Sequence, residues 1–145
     1  MEPTPEELKP GGGVSYHQFE EPDARILKTF PPPKERAGVI TFTTREVTAL
    51  CPLTGQPDYY TVMITYEPNT LCIESKSAKL YFGAYRQQRG FIESLAYKVL
   101  SDWVEACRPE WAEIVMTMAP RGGIAISVTY KYKEYKFKEG NVELI

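Results

Sequence analysis

Residues 39–68 read VITFTTREVTALCPLTGQPDYYTVMITYEP, and this stretch decides the fold because it encodes two strands and the loop between them. The first part is rich in β-branched residues and alternates loosely between polar and apolar types. The last part alternates cleanly, with Tyr60, Val62, Ile64 and Tyr66 on one face. The pattern therefore predicts two strands on either side of a loop, CPLTGQPD, at residues 51–58.

Beyond residue 68, the spacing of the apolar residues changes from the period of a strand to that of a helix, and later returns to that of a strand. Residues 74–86 carry apolar side chains at helical spacing, with Ser75 as the candidate N-cap, and residues 91–107 form a second helical pattern. Alternating segments at residues 113–118 and 124–133 then predict two more strands. The order of elements predicts an α+β fold, an antiparallel four-stranded sheet with two helices on one face.

Residues 1–36 have the composition of a tail. They hold most of the 12 prolines, a Gly11-Gly12-Gly13 run and Pro31-Pro32-Pro33. Such a segment cannot bury enough apolar surface to offset its ordering entropy, although part of it can dock on the surface or on a neighbouring subunit. We therefore divide the chain into a Pro/Gly-rich tail at 1–36 and a folded domain at 37–145.

Composition and charge exclude several classes of protein. The net charge of −2 gives no reason to expect a generic polyanion binder, so nucleic acid is not favoured as a partner. No apolar run reaches membrane-spanning length, and the acidic N-terminus lacks the features of a secretory signal. Three cysteines without a CxxC pair favour a reducing cytoplasm over a disulfide framework.

Cys51 is the first candidate for chemistry. A free cysteine is most often a small buried apolar residue, but Cys51 lies in a turn, and turns usually run at the surface. A thiolate is a strong nucleophile when its pKa is lowered. Asp58 can return along the next strand to face Cys51, where a carboxylate suits a proton donor or shuttle better than an activator. Metal binding is poorly supported, because the only histidine is His17.

Several charged residues are candidates for binding phosphate. Lys76 and Lys79 lie three apart at a helix N-terminus, where free backbone N–H groups favour anions, although most charge runs are only a solvated face. Arg121 on a glycine-bearing turn also suits phosphate, and Glu93 opens the second helix as an ordinary first-turn carboxylate. The chain has no GxGxxG or P-loop motif, so a nucleotide would bind through side-chain cations instead.

Three motifs, TALCPLTGQPD, CIESKSAKLYF and PRGGI, occur in this order and together resemble the 7-cyano-7-deazaguanine reductases of queuosine biosynthesis. The resemblance covers roughly residues 38–130, and the match at residues 74–81 is complete. It implies a tunnel fold in the short, single-domain form of the family. It also implies a cytoplasmic, homo-oligomeric NADPH-dependent nitrile oxidoreductase that acts on a small deazapurine nitrile, with sites between subunits.

The resemblance also implies a role for each candidate residue. Cys51 is similar to the nucleophile that forms a thioimide with the nitrile, and Asp58 to the proton donor. Residues that correspond to the substrate-binding positions are Ile73, Glu74, Ser75, Ile92 and Glu93, with Glu93 as the carboxylate that reads the guanine-like edge. Lys76, Lys79 and Arg121 correspond to positions that hold the cofactor phosphates.

One position departs from the family's pattern, and one alternative stays open. Ile92 stands where the family usually has a histidine, which affects one substrate contact and part of the proton relay. The alternative function is a tunnel-fold amidinotransferase that keeps the cysteine and adds ammonia to a nitrile on tRNA, as in archaeosine formation. That branch typically loses the cofactor signature, which is complete here. A non-enzymatic binding module has no need to keep Cys51 and Asp58 together.

Overall fold

The computed structural model describes residues 19–34 and 38–133. Its elements in chain order are β1 (Thr29–Phe30), β2 (Ile40–Leu50), β3 (Pro57–Glu67), β4 (Cys72–Ile73), α1 (Ser75–Gly83), α2 (Ile92–Cys107), β5 (Trp111–Arg121) and β6 (Ile124–Tyr132). The four long strands form one antiparallel sheet in the order β2-β3-β5-β6. This arrangement confirms the predicted α+β fold with its four-stranded antiparallel sheet and two helices.

One face of the sheet is buried beneath the helices because alternate residues of the central strands are apolar. On β3 the buried residues are Asp58, Tyr60, Val62, Ile64 and Tyr66. The last four of these pair on β5 with Met118, Met116, Ile114 and Ala112. Residues between them, such as Tyr59 and Met63, are exposed. Asp58 is the one acidic residue in this buried row of β3. Its position near the start of β3 indicates the end of the sheet at which a catalytic site is expected.

The two helices close the core from one side. The second helical pattern predicts an apolar stripe on α2, and all its members are buried: Ile92, Leu95, Ala96, Val99 and Trp103. Trp103 makes edge-to-face contacts with Phe42 at 5.0 Å and Tyr66 at 5.9 Å between ring centroids. The N-cap of α1 is Glu74, so the prediction of Ser75 as the N-cap is wrong. The Glu74 carboxylate accepts hydrogen bonds from the backbone N–H groups of Lys76 and Ser77, each at 2.7 Å. A longer acidic side chain reaches two donors at once, which Ser75 inside the first turn cannot do.

Part of the predicted tail packs on the core. Residues 24–26 form a 3-10 turn, and Ile26 and Leu27 are buried in the main apolar cluster. The Lys28 N–H donates to Oγ of Ser77 at 2.8 Å, and β1 pairs with β4. This packing agrees with the expectation that part of the segment can dock on the surface, and the part that does so is residues 24–27. Their few apolar side chains fit a site that α1 and α2 provide, and composition alone does not show such a site.

The remaining residues of the predicted tail and of the C-terminus lie outside the described residues. These are residues 1–18, 35–37 and 134–145, which include His17 and the triple glycine. The division of the chain at residue 36 stays a prediction.

Candidate active site

The loop that carries Cys51 is held by its own backbone. The Cys51 N–H donates to the carbonyl of Gln56, and the Gly55 N–H donates to the carbonyl of Cys51, both at 2.8 Å. Gly55 has φ +71°, and a Cβ at this position would lie 3.0 Å from the guanidinium of Arg89. The turn therefore requires glycine. The loop joins β2 to β3 at the point where Leu50 pairs with Pro57.

Cys51 itself is an acidic thiol in a nearly buried position. The residue is 6% exposed, so the expectation of a surface turn is wrong for its side chain. Hydrogen bonds from the Thr54 side chain and backbone, and from the backbone of Leu53, lower the pKa of Cys51 from 9.0 to about 7. Burial opposes this effect and Arg121 adds to it. The thiol is therefore substantially ionised near neutral pH, as a nucleophile requires.

Asp58 lies beside this thiol on the buried face of the sheet. It is paired with Ala49 of β2, two residues before Cys51, and is 4% exposed. Its Oδ1 lies 3.0 Å from Nη1 of Arg121 at the end of β5. Tyr60 is two residues further along β3 on the same face, and burial, followed by the charge of Asp58, raises the pKa of Tyr60 to about 12. The structure thus brings together residues from one loop and two strands.

The segment predicted to bind the cofactor lies at α1. Lys76 and Lys79 are exposed on its first turns, but the N–H groups of Lys76 and Ser77 are occupied by the Glu74 carboxylate. The prediction of free backbone donors for phosphate at this helix N-terminus is therefore wrong for these two groups. The same two hydrogen bonds lower the pKa of Glu74. The exposed side chains of Lys76 and Lys79 stay the predicted phosphate ligands of α1.

A groove of about 450 Å³ lies between β2 and α1. Its wall contains apolar Phe42 and Phe82 together with Ser75, Lys79 and Arg86. Cations beside apolar ring surface suit part of a dinucleotide, with phosphates on the cations and a base or ribose against the rings. The residues present therefore fit NADPH. Neither Cys51 nor Asp58 lines this groove in the described chain.

The predicted substrate-binding residues differ in how far their side chains are buried. Ile73 is 3% exposed, and its backbone N–H donates to the hydroxyl of Tyr66 at 2.9 Å. Ile92 is 3% exposed and packs in the core at the start of α2, whereas Glu93 is exposed. The side chains of Ile73 and Ile92 are thus turned into the core of the single chain, and Glu74 is engaged as a cap. Glu93 and Ser75 remain accessible, and all these roles stay predictions.

Arg121 is placed with Cys51 and Asp58, and it does not line the groove that contains Lys79. Thr54 and Tyr60 belong to the same group and were not identified from the sequence. The signal for Thr54 was its place in the Thr-Gly-Gln turn three residues after Cys51. Tyr60 carried a signal as well, because residues two apart on a strand share a face with Asp58.

Comparisons with known proteins identify the class of protein. A sequence model of the family described as QueF-like protein matches residues 57–137. A crystal structure of the archaeosine synthase QueF-Like in the apo form superposes with a TM-score of 0.63 and 20% identity, covering 67% of this chain and 95% of that chain. At this identity the structural match supports the fold alone, and it agrees with the tunnel fold that the resemblance implied.

Two relatives of known name are much more similar in sequence. A protein of Anaeromyxobacter sp. (strain Fw109-5) is 42% identical over 112 residues, or 77% of this chain and 92% of its own. A protein of Helicobacter pylori (strain HPAG1) is 41% identical over 141 residues, or 94% of this chain and 95% of its own. Both are named NADPH-dependent 7-cyano-7-deazaguanine reductase. The chain belongs to the QueF-like family, which confirms the predicted family.

Proposed function

We propose that this protein is an NADPH-dependent oxidoreductase that reduces the nitrile of 7-cyano-7-deazaguanine to an aminomethyl group, in the biosynthesis of the modified tRNA base queuosine. Relatives that are 41–42% identical over most of this chain carry the name of this reductase. The observation that carries the chemistry is the Cys51 thiol, whose pKa is lowered to about 7 beside the buried Asp58.

The first step forms a covalent thioimide on Cys51. The thiolate adds to the nitrile carbon, one C–N π bond breaks, and the nitrogen takes the proton that the thiol gave up. Asp58, which pairs with Ala49 two residues before Cys51, is the group that accepts that proton and returns it to the nitrogen. A thioimide accepts hydride more readily than a nitrile does, which is why the covalent step precedes reduction.

Two NADPH would supply one hydride each to take the thioimide to the amine, and the C–S bond to Cys51 would break on the way, which returns the thiolate. Lys76 and Lys79 on the exposed face of α1, with Ser75 at its first position, are the residues that hold the phosphates of the cofactor. The nearby aromatic wall of the groove excludes water from its apolar part. The exposed carboxylate of Glu93 accepts from the two N–H groups on the guanine-like edge of the substrate.

We further propose a cytoplasmic homo-oligomer with sites between subunits. The groove and the thiol are separate in one chain, so a second subunit is needed to bring phosphate ligands to the nucleophile. In the described residues Cys51, Cys72 and Cys107 form no disulfide, as is usual in a reducing compartment. In the described part of the chain, no helix has the length and apolar content to span a bilayer.

The experiment that tests this function begins without the cofactor. Incubation with 7-cyano-7-deazaguanine alone should add the mass of the base to the protein at Cys51, and Cys51→Ala should gain nothing. Cys107→Ala is the matched control and should still form the adduct. NADPH should then be oxidised as the amine appears. An adduct without any NADPH oxidation, together with ammonia-dependent turnover of nitrile-bearing tRNA, would establish the amidinotransferase instead.

The cofactor ligands are tested by removing both lysines. Lys76→Ala with Lys79→Ala should leave adduct formation intact, because neither lysine belongs to the group around Cys51. Each charge-assisted hydrogen bond contributes about 1.5–3 kcal/mol, so the affinity for NADPH should fall by tens-fold or more. NADH, which lacks the 2′-phosphate, should be a poor donor for the wild type. Unchanged NADPH affinity in the double variant would remove Lys76 and Lys79 from the cofactor site.

A further inference from the structure

Residues 88–90 form a short segment before α2 that is attached to the start of the loop that carries the thiol. The Leu50 N–H donates to the carbonyl of Gln88 at 2.7 Å, and the Gly90 N–H donates to the carbonyl of Leu50 at 3.3 Å. These bonds make a parallel bridge between Leu50 and Arg89 at the outer edge of β2. The backbone of the 88–90 segment is therefore attached one residue before the thiol.

The same segment packs against α2, so its position is fixed from two sides. A Cβ added at Gly90 would lie 2.8 Å from Cδ2 of Leu95, a distance shorter than a van der Waals contact. The backbone at Gly90 is therefore in close contact with α2. Arg89 lies between the two attachments and is exposed, so its side chain extends from a backbone that is held in place.

The guanidinium of Arg89 covers Gly55 in the thiol loop. A Cβ at residue 55 would lie 3.0 Å from Nη2, 3.3 Å from Nη1 and 3.5 Å from Cζ of Arg89. The planar group therefore occupies the space into which any side chain at residue 55 would project. None of the ion pairs among the described residues includes Arg89, so no carboxylate of this part of the chain holds its side chain elsewhere.

This contact matters because glycine does not fix the turn by itself. Gly55 has φ +71°, and glycine adopts both signs of φ at little cost. The Gly55 N–H closes the turn by donating to the carbonyl of Cys51 at 2.8 Å. Leu53 and Thr54, whose hydrogen bonds lower the pKa of Cys51, come directly before Gly55 in the same turn. A guanidinium packed on Gly55 limits the opening of this turn.

We propose that Arg89 is a positioning residue for the nucleophile. Its guanidinium holds the turn at Gly55 closed, which keeps the hydrogen-bond donors of the loop on the sulfur of Cys51. The inference rests on the proposed function, in which Cys51 attacks the nitrile. It goes beyond that function because Arg89 lies outside the three motifs that carry the family resemblance.

The direction of the pH effect follows from the groups around the thiol and its loop. They come from the loop itself, from β3, from β5 and from the 88–90 segment: Leu53, Thr54, Asp58, Tyr60, Arg121 and Arg89. Loss of Arg89 loosens the donors of the loop and removes a positive charge near it, and both changes favour the neutral thiol. The pH midpoint for the reaction of Cys51 should therefore rise.

The test follows the reactivity of Cys51 against pH, with iodoacetamide and with 7-cyano-7-deazaguanine, both read by mass spectrometry. Arg89→Ala should react about two- to fivefold more slowly at pH 7, because a modest rise of the pKa from about 7 lowers the thiolate fraction by this factor. The rates of variant and wild type should converge well above pH 9.0, where both thiols are ionised. Arg45→Ala, at an exposed arginine on β2, is the matched control and should keep the wild-type profile.

Two further variants separate the packing of the guanidinium from its charge. Arg89→Lys keeps the charge and loses the planar group, so its profile should stay closer to that of Arg89→Ala than to that of the wild type. Full recovery in Arg89→Lys would show that charge alone acts, and the inference would be wrong. Gly55→Ala displaces the guanidinium, so adding Arg89→Ala to it should change the rate little. Losses that add in full would contradict a shared role at this turn.

Failure of this inference is distinguishable from failure of the proposed function. A wild type that is alkylated at Cys51 but forms no nitrile adduct would disprove the proposed function, while the alkylation profiles still decide the role of Arg89. Denaturant unfolding supplies the remaining measurement. If Arg89→Ala is less stable but keeps the wild-type pH midpoint, Arg89 is only structural and the inference is wrong. If Arg89→Ala or Gly55→Ala does not fold, the profile of Arg89→Lys decides.

Discussion

Opposing influences act on the thiol of Cys51, and their balance lowers the pKa of this thiol. Burial favours the neutral thiol, while donors from Thr54 and Leu53 favour the thiolate and win, which brings the pKa to about 7. Cys107 shows the contrasting case, because burial raises the pKa of its thiol to about 12. Cys51 and Cys107 are both buried, and the pKa values of their thiols differ because only Cys51 of the two lies in a loop that supplies donors.

Removing the side-chain donor should show this balance directly. In Thr54→Ala the pKa of Cys51 should rise from about 7 toward the ordinary 9.0, because the largest stabilising hydrogen bond is lost. The rate of alkylation by iodoacetamide, followed by mass spectrometry against pH, measures this midpoint. Thr70→Ala, at an exposed position before β4, is the control and should keep the wild-type profile. An unchanged midpoint in Thr54→Ala would mean that other groups set the acidity of Cys51.

The residues of the site were predictable to different degrees. Cys51 and Asp58 stand in a motif whose loop geometry is local, so the sequence could place them together. The cap of α1 was not predictable from preference alone, because Ser75 is the commoner capping type and the longer Glu74 reached the same N–H groups from outside the helix. The burial of Ile92 was predictable, because this residue opens the apolar stripe of the second helical pattern.

The cap of α1 links the stability of an element to pH. The Glu74 carboxylate accepts two backbone hydrogen bonds, so its pKa in the folded chain is lower than the ordinary 4.5. The ionised cap thus stabilises the fold fully above pH 4.5, and this contribution is lost as the pH falls through the lower, folded pKa. Glu74→Ala should lower the free energy of unfolding by about 0.5–2 kcal/mol at pH 7.

Denaturant unfolding at several pH values measures this effect. The difference between the wild type and Glu74→Gln should shrink as the solution becomes more acidic than pH 4.5, because the wild-type carboxyl is then protonated. Glu105→Gln, on the exposed face of α2, is the control for a changed net charge. A difference that stays constant through the acid range would show that the charge of Glu74 does not stabilise α1.

A buried hydrogen-bond network joins the two helices. The Tyr81 hydroxyl donates to Oδ2 of Asp102 at 2.6 Å and lies 2.7 Å from the Tyr85 hydroxyl, and Lys98 forms an ion pair with the same carboxylate at 3.2 Å. Tyr81→Phe removes the donor to a carboxylate that is 7% exposed. We expect a loss of about 1–3 kcal/mol in the free energy of unfolding.

The control for this network is Tyr97→Phe, whose ring is exposed and contacts Tyr130 edge to face. Denaturant unfolding of Tyr97→Phe should match the wild type within a few tenths of a kcal/mol, about the size expected for a surface change. Equal stability of Tyr81→Phe and Tyr97→Phe would show that Asp102 finds another partner.

The elements themselves were largely predictable because their periodicity is local. The four long strands and both helices lie where alternation and helical spacing placed them. The short strands β1 and β4 were not predicted, because two-residue pairing of Thr29 with Ile73 depends on a contact between distant segments. Docking of Ile26 and Leu27 depends in the same way on a surface that exists only after the helices pack.

At the scale of the whole molecule, the sheet has two edges that no described strand covers. Within the described residues β6 pairs on one side only, and the outer side of β2 has a single bridge, from Leu50 to Arg89. Strands of nine to eleven residues with an open edge tend to pair with another chain. We expect a homo-oligomer larger than a dimer, measured by light scattering across protein concentration. A stable monomer that still reduces the nitrile would contradict this expectation.

The thiol and the cofactor groove are separate in one chain, and this leads to a more specific prediction about how the subunits of the oligomer share a site. Cys51 lies at the β2–β3 loop, while Ser75 and Lys79 line a groove that Cys51 does not reach in one chain. If neighbouring subunits share a site, one can supply Cys51 while the other supplies the lysines. Cys51→Ala and the Lys76→Ala/Lys79→Ala variant should each be nearly inactive alone at limiting NADPH.

Mixing these two inactive variants should therefore restore activity. After dissociation in mild denaturant and reassembly together, some interfaces combine an intact Cys51 from one subunit with intact lysines from its neighbour. NADPH oxidation by the mixture should exceed the sum of the two separate preparations, and the same treatment of either variant alone is the control. A wild-type sample carried through the cycle must regain its activity for the comparison to count. No gain on mixing, with such recovery of the wild type, would place Cys51 and the lysines of each site in the same subunit.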